Sequence, residues 1–500
     1  MRGVRLRMRA KSNIVYILAD QLRSQSLPAY GENQISTPNI NRITREGITF
    51  TNAVSTCPLC TPYRSMLLTG RQPLETGHII NNIRTRHDEI SIADAFGNAG
   101  YKTGWIGKWH LYSGPEPEFV EFEYIPDGRD RLGFHYFRAY NYHTQYFNGP
   151  VCLDNGEHED WEGYETDGLL KYIDEFLNDA GDSFCLFVSP HTPHHGGGIP
   201  GGKSTKDASP IGRLAPERFF DLVPERPLLP ANVPEPLLDY ASDCYRDYLA
   251  MTLAVDDMIG RILDRLETAG LLENTIVIFG SDHGSLMGSH GPSADEVAGN
   301  YDDAVYWQPW EKRTPWEESI SIPLLIRFPD LHRAGTISDE LISPTDIFPT
   351  LCGLCGVVPP KTVSGSNLAD SWLELNVGRG NTDQQDMLFC YYVNDAFLSP
   401  GSEWRGVRTK RWNYFRFLNG KKGLYDIQTD PLQMNNLIED RRHESVRDEL
   451  EAKLTAFMDQ WNDDFKSAPE YHPWFEKRQV LRNVFGELGD PLKEPDWSLM

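Results

Sequence analysis

The chain lacks any run of the ~18 to 20 apolar residues that a membrane span needs. Its arginine-rich start, Arg2 to Lys11, leads only into a short apolar stretch over 14–19 before Asp20 interrupts it. That stretch is too short for a signal core and carries no cleavage site, so the sequence as given reads as cytoplasmic. Basic residues are in deficit: 48 Lys and Arg against 72 Asp and Glu leave a net charge of −24. A body of that sign does not grip nucleic acid phosphates or an anionic membrane non-specifically. Cysteine is sparse, eight in 500 residues, and no Asn-X-Ser/Thr acceptor occurs, so a disulfide scaffold is excluded. Neither G-x-S-x-G nor H-E-x-x-H is present, which removes support for an α/β-hydrolase serine or a zincin. What remains is an acidic chain, 40% hydrophobic and 11% aromatic, able to bury a sizeable core. Its length allows about three domains of ~150 residues, or one large core with a satellite.

Short apolar runs rich in β-branched residues, over 13–19, 184–189, 275–281 and 322–328, read as buried, parallel-type strands. Helical stretches alternate with them. Thr37 and Pro38 are a cap and first-turn proline for 39–46, with Gly47 as the stop. Helices are also expected over 92–99, 167–177 and 240–269, the last with a stripe of Tyr245, Leu249, Thr252, Val255, Ile259, Ile262 and Leu266. The pattern predicts an α/β fold with a large, mixed, mostly parallel sheet flanked by helices over 12–385. The proline-rich stretch 190–236 reads as a surface loop. From 386 to 500 the texture changes to short strands over 389–393, 404–409, 412–417 and 423–426, then a helix over 445–465, which predicts a smaller antiparallel sheet plus helix.

Ligands in open α/β sheets sit beyond the carboxyl ends of the strands. Three such ends carry Asp20-Gln21, Asp282-His283 and Pro190-His191. The two Asp-led pairs together offer oxygen and nitrogen ligands to a divalent cation. A second feature is Cys57-Pro-Leu-Cys60-Thr-Pro-Tyr-Arg64, continued to Thr69-Gly70. Cys57/Cys60 and Cys352/Cys355 each spell C-x-x-C, but they lie nearly 300 residues apart and no thioredoxin-like unit starts there. Cys352 and Cys355 sit in an apolar helix over 346–355, where packing is their expected role. Pro62 places Cys60 at a helix N-terminus, where N–H groups favour an anion, with Arg64 one turn on. The glycine run 196–201 fits G-x-G-x-x-G by letter only and reads as a loop.

Cys60-Thr-Pro62-Tyr-Arg64 with Thr69-Gly70 resembles the C-x-P-x-R…T-G signature of the type I sulfatases, within the alkaline-phosphatase-like superfamily. Agreeing segments follow in the family's order: 13–21, 37–43, Gly107-Lys108-Trp-His110, Pro190-His191-Thr-Pro193, Ser281-Asp282-His283-Gly284 and Lys312 to Glu317. A stretch from Val407 to Leu437 resembles the second subdomain. The resemblance implies a sulfuric ester hydrolase in which Cys60 is oxidised to formylglycine (3-oxoalanine) by a maturation enzyme. It implies that Asp20, Gln21, Asp282 and His283, with modified Cys60, hold one divalent metal. It assigns Arg64 to stabilising the formylglycine oxygen, Lys108 to charge neutralisation and His110 to proton removal. His191 and Lys312 would bind the sulfate oxygens and protonate the leaving alcohol. Lys108 and His110, two apart, would share one side of an extended segment.

Many relatives carry Asp-Asp and Asp-Asn where this chain has Asp20-Gln21 and Asp282-His283. Oxygen donors favour calcium, while the imidazole admits manganese or zinc. The same combination resembles phosphonate monoester and phosphodiester hydrolases of the superfamily, which stay open as an alternative, as does a binding protein whose Cys60 is never converted. His194 and His195 are candidate pocket residues. Loops over 116–161, 196–236 and 289–310, with Tyr301, Trp307 and Trp310, are expected to select the substrate. The acidic body favours a short or singly sulfated substrate over a densely sulfated polymer.

Overall fold

The computed structural model describes residues 11–114, 123–143, 145–194, 213–291, 311–373, 386–393, 402–471, 481–482 and 495–500. The glycine run 196–201, His195, Tyr301, Trp307 and Trp310 lie outside them. The first eleven strands are β1 Asn13–Ala19, β2 Ile48–Ala53, β3 Ile83–Arg84, β4 Lys102–Lys108, β5 Tyr136–Tyr140, β6 Pro150–Cys152, β7 His158–Asp160, β8 Phe184–Ser189, β9 Thr275–Ser281, β10 Leu324–Arg327 and β11 Thr336–Ile342. All but β3 form one ten-stranded sheet in the order β11-β2-β10-β9-β1-β8-β4-β5-β6-β7. Its centre, β9-β1-β8-β4-β5, is parallel throughout.

Central strands are buried on both faces, so they need apolar side chains on both, and every residue of β1, β8 and β9 is buried. One face packs on the helices Glu165–Asn178 and Leu238–Thr268, the other on Pro344–Cys355 and its neighbours. Among the helices expected from the sequence, the long one falls at Leu238–Thr268 and the first at Pro38–Glu46.

Two expectations are corrected. The run 322–328 forms β10, which pairs antiparallel with both β9 and β2. A wholly apolar run reads the same whichever direction its neighbours take. Within 116–161, expected as loop, lie β5, β6 and β7.

The C-terminal strands β12 Met387–Tyr392, β13 Trp404–Thr409, β14 Trp412–Phe417 and β15 Lys422–Asp426 form the expected antiparallel sheet, and the helix Glu444–Trp461 packs on it. β16 Leu481–Arg482 pairs with β3. This sheet grips the segment that carries Lys312. Arg408 Nε and Nη2 donate to Glu317 at 2.7 and 2.9 Å, Trp404 Nε1 to Arg313 O at 2.9 Å and Asn413 Nδ2 to Pro315 O at 2.8 Å. All eight cysteines are free thiols, so neither C-x-x-C pair is a disulfide. Among the described residues no helix is long and apolar enough to cross a membrane.

Candidate active site

Register alone aligns the strand ends. Ala19 pairs with Ser281, Ile17 with Val188 and Gly107 with Ser189, so Asp20, Asp282, His191 and Lys108 leave the sheet along one edge. Two backbone features close the edge tightly. Gly107 has φ 103°, and a Cβ there would lie 2.1 Å from Ser189 O, so only glycine lets β4 approach β8 this closely. Gln21 is left-handed at φ 60°, a strained state for a non-glycine residue. Its N–H donates to Asp282 Oδ1 at 2.9 Å, which locks the β1 and β9 exits together.

The helix Cys60–Thr69 starts at Cys60, as its proline and signature suggest, and ends at Gly70 with φ 66°. Cys60 Sγ lies 3.2 Å from His283 Nε2, 3.5 Å from Lys108 Nζ and 3.9 Å from Asp20 Oδ1. Arg64 Nη2 reaches Asp20 Oδ2 at 2.8 Å and Asp282 Oδ2 at 3.2 Å, and its Nη1 donates to Ser189 Oγ and Lys108 O. Lys108 Nζ sits 2.6 Å from Asp20 Oδ2. Burial would raise the Asp20 carboxyl, but Lys108, His194 and Arg64 hold it well below the usual carboxylate range. Burial and Asp20 push the Cys60 thiol up, and Lys108, Lys312 and His283 outweigh them, so it falls below its ordinary value.

The histidines divide into two groups. His110 is left-handed, φ 55°, so the chain turns there and the extended Lys108/His110 segment is not formed. Its Nε2 meets Asn82 Oδ1 at 3.2 Å, and an amide oxygen only accepts, which puts the proton on Nε2 and leaves Nδ1 basic. Nδ1 is buried without a partner among the described residues. Burial, then Lys108 and Arg64, lower the His110 pKa well below the ordinary value, so the ring is neutral. On the other side, Lys312, expected to act with His191 on the sulfate, makes its hydrogen bond to His194 instead. Lys312 Nζ lies 2.6 Å from His194 Nε2 and 2.8 Å from Gln21 Oε1. His191 stacks on His194, centroids 4.4 Å apart, with both its nitrogens unpartnered among the described residues. Two residues separate His191 from His194, and a tight turn reverses the chain between them, which spacing alone does not reveal.

Residues the sequence did not single out complete the site. Tyr142, half-buried, lies over Lys108 at 5.3 Å and beside His110 and His191. Ser189 holds Arg64, Ser285 accepts from Gln21 Nε2 at 3.1 Å, and Asn82 fixes His110. Ser189 and Ser285 adjoin the motifs and were open to suspicion, whereas nothing around Asn82 marks it.

The donor set suits a divalent cation. Ligand atoms of Asp20, Cys60, Asp282 and His283 all lie within 4.8 Å of one another, all buried. His283 Nδ1 donates to Gly284 O at 3.0 Å, so the neutral ring would offer Nε2 to a cation in the cluster. Gln21 Oε1, although bonded to Lys312, keeps a second lone pair.

An α/β sheet whose carboxyl edge gathers two carboxylates, an imidazole, a thiol and three cations is the kind of site that a hydrolase of anionic esters presents, with donors able to hold a divalent cation. The sulfatase family pattern matches residues 12–357, and that of the C-terminal region of N-sulphoglucosamine sulphohydrolase matches 306–460. An ulvan-active sulfatase of Formosa agariphila is 33% identical over 92% of this chain and 84% of its own length. An N-acetylglucosamine-6-O-sulfatase of Bacteroides thetaiotaomicron is 27% identical over 95% and 91%. A solved structure from the glycosaminoglycan metabolism of Bacteroides thetaiotaomicron superposes with TM-score 0.74 at 27% identity, covering 92% of this chain and 98% of that one. The chain belongs to the sulfatase family and is a sulfuric ester hydrolase, of a family that works with a metal and a formylglycine.

Proposed function

We propose that this sulfatase hydrolyses a sulfate ester on a short or singly sulfated sugar, with Cys60 converted to formylglycine by a maturation enzyme. The observation that carries this reading is the buried meeting of Cys60 with Asp20, Asp282 and His283 under Arg64, Lys108 and Lys312. The sugar class draws support from the sulfatases of sulfated saccharides to which the chain is similar. Asp20, Gln21, Asp282 and His283 would hold the ion, and their oxygen majority favours calcium, with manganese or zinc next. With both groups in place, the formylglycine hydrate supplies an oxygen nucleophile and the ion a Lewis acid.

This chain's own residues divide the remaining work. Arg64 and Lys108 neutralise charge beside residue 60 and Asp20. Neutral His110 offers basic Nδ1 to a proton. Lys312 and His194, hydrogen-bonded to each other, bind the sulfate oxygens and deliver a proton to the departing alcohol, with His191 lining the same wall. Desulfation assays on defined sulfated mono- and disaccharides test the reading, with an aryl phosphonate run in parallel. Turnover of a sulfated sugar is expected. A kcat/KM on phosphonate higher by orders of magnitude would transfer the chain to the diesterase alternative.

A further inference from the structure

Glu165 opens the helix Glu165–Asn178, and a carboxylate in a first turn ordinarily serves that helix's own N–H groups. Here it does something else. Fully buried, it accepts from His191 N at 2.7 Å, Thr192 N at 2.9 Å and Thr192 Oγ1 at 2.7 Å, and from the Tyr140 hydroxyl. All four donors belong to the exits of β5 and β8 rather than to the helix. No lysine or arginine pairs with Glu165 among the described residues. An imidazole nitrogen, Nε2 of His143, is 3.9 Å from Oε1.

We infer that Glu165 is a positioning residue that sets the 191–194 turn and, through it, the His194 and Lys312 pair. The turn is tied at both ends. Glu165 fixes its start, His194 N closes it on His191 O at 2.8 Å, and the Tyr146 hydroxyl donates to His194 O. His194 Nε2 consequently stands 2.6 Å from Lys312 Nζ. Replacing Glu165 with glutamine keeps the volume but turns one acceptor into a donor facing an N–H, so the turn must shift.

The inference rests on the reading of His194 and Lys312 as the pair that protonates the leaving alcohol. It is tested on the metal-loaded full chain with Glu165→Gln, His194→Ala and the double variant. Each is assayed on 4-nitrophenyl sulfate, whose leaving group needs no proton, and on a sulfated monosaccharide, whose alcohol does. Glu165→Gln is expected to lower kcat on the sugar about 10- to 100-fold while aryl sulfate turnover stays within about threefold. In the His194→Ala background it is expected to cost nothing further. Thr192→Val, a milder change, should show the same selectivity at smaller amplitude. Equal losses on both substrates where His194→Ala spares the aryl sulfate, or an undiminished loss when His194 is already absent, would overturn the inference. If His194→Ala alone slows both substrates equally, the leaving-group reading falls, and the double variant still decides whether Glu165 acts through His194.

Discussion

Asp20, Arg64, Lys108, Asp282 and His283 are all inaccessible to solvent, so each charge depends on its neighbours. Arg64 bridges two carboxylates and Lys108 shares one of them, an arrangement whose members cannot be removed singly without stranding a partner. Cys60 differs, since its deletion leaves the ion pairs intact. Cys60→Ala should therefore abolish desulfation while the thermal unfolding midpoint stays near that of the parent; global unfolding would undercut its chemical role. Asn82→Ala should lower kcat at least tenfold with KM within about twofold, because His110 loses the acceptor that keeps Nδ1 unprotonated. Steady-state kinetics on an aryl sulfate checks this. The metal-ligand candidates and the Cys60 helix were legible in sequence because each adjoins a strand end or a proline start. Asn82, Glu165 and the Lys312 to His194 contact were not, since they depend on turns that bring distant residues into hydrogen-bond range.

At the scale of elements, the buried strands β1, β8 and β9 could be read from apolar runs bounded by polar residues. The strand β11, with exposed residues alternating along its first half, and the short β6 and β7 carry too little periodic signal. Contacts between elements were invisible, and one governs stability. Glu317 and Arg408 join the segment after Lys312 to the C-terminal sheet, with side chains 9% and 3% exposed. Glu317→Ala should cost about 3 to 5 kcal/mol in urea unfolding by stranding Arg408. The helix Pro344–Cys355 supplies a pH dependence. Asp346 accepts from Ser343 N and Ser366 N, and burial pushes its pKa from 3.8 up to about 7. The folded chain thus holds a proton that the unfolded chain has released, so this contribution is full below about pH 4 and is lost as pH rises through about 7. The stability of the parent relative to Asp346→Asn should decline across that window by no more than about 4 kcal/mol.

For the whole molecule the net charge is −24, while the site sets Arg64, Lys108 and Lys312 beside Asp20 and Asp282. Small anions reach it, whereas a polyanion must approach the acidic body along its length. Activity per sulfate should be lower on an intact sulfated polymer than on its disaccharides, with the gap narrowing as salt rises from 50 to 500 mM in rough steps of the Debye length. A polymer that matches its disaccharides at low salt would contradict this. The enclosure of Cys60 bears on when the proposed conversion to formylglycine would have to happen. Cys60 is 1% exposed, and Thr61 to Arg64 are helical and buried with it. An enzyme that grips this segment as extended peptide finds it only before the helix forms and docks against β1 and β9. On the proposed maturation, oxidation of Cys60 would belong to the nascent chain, and a thiol folded unconverted would stay sealed until the molecule unfolds again.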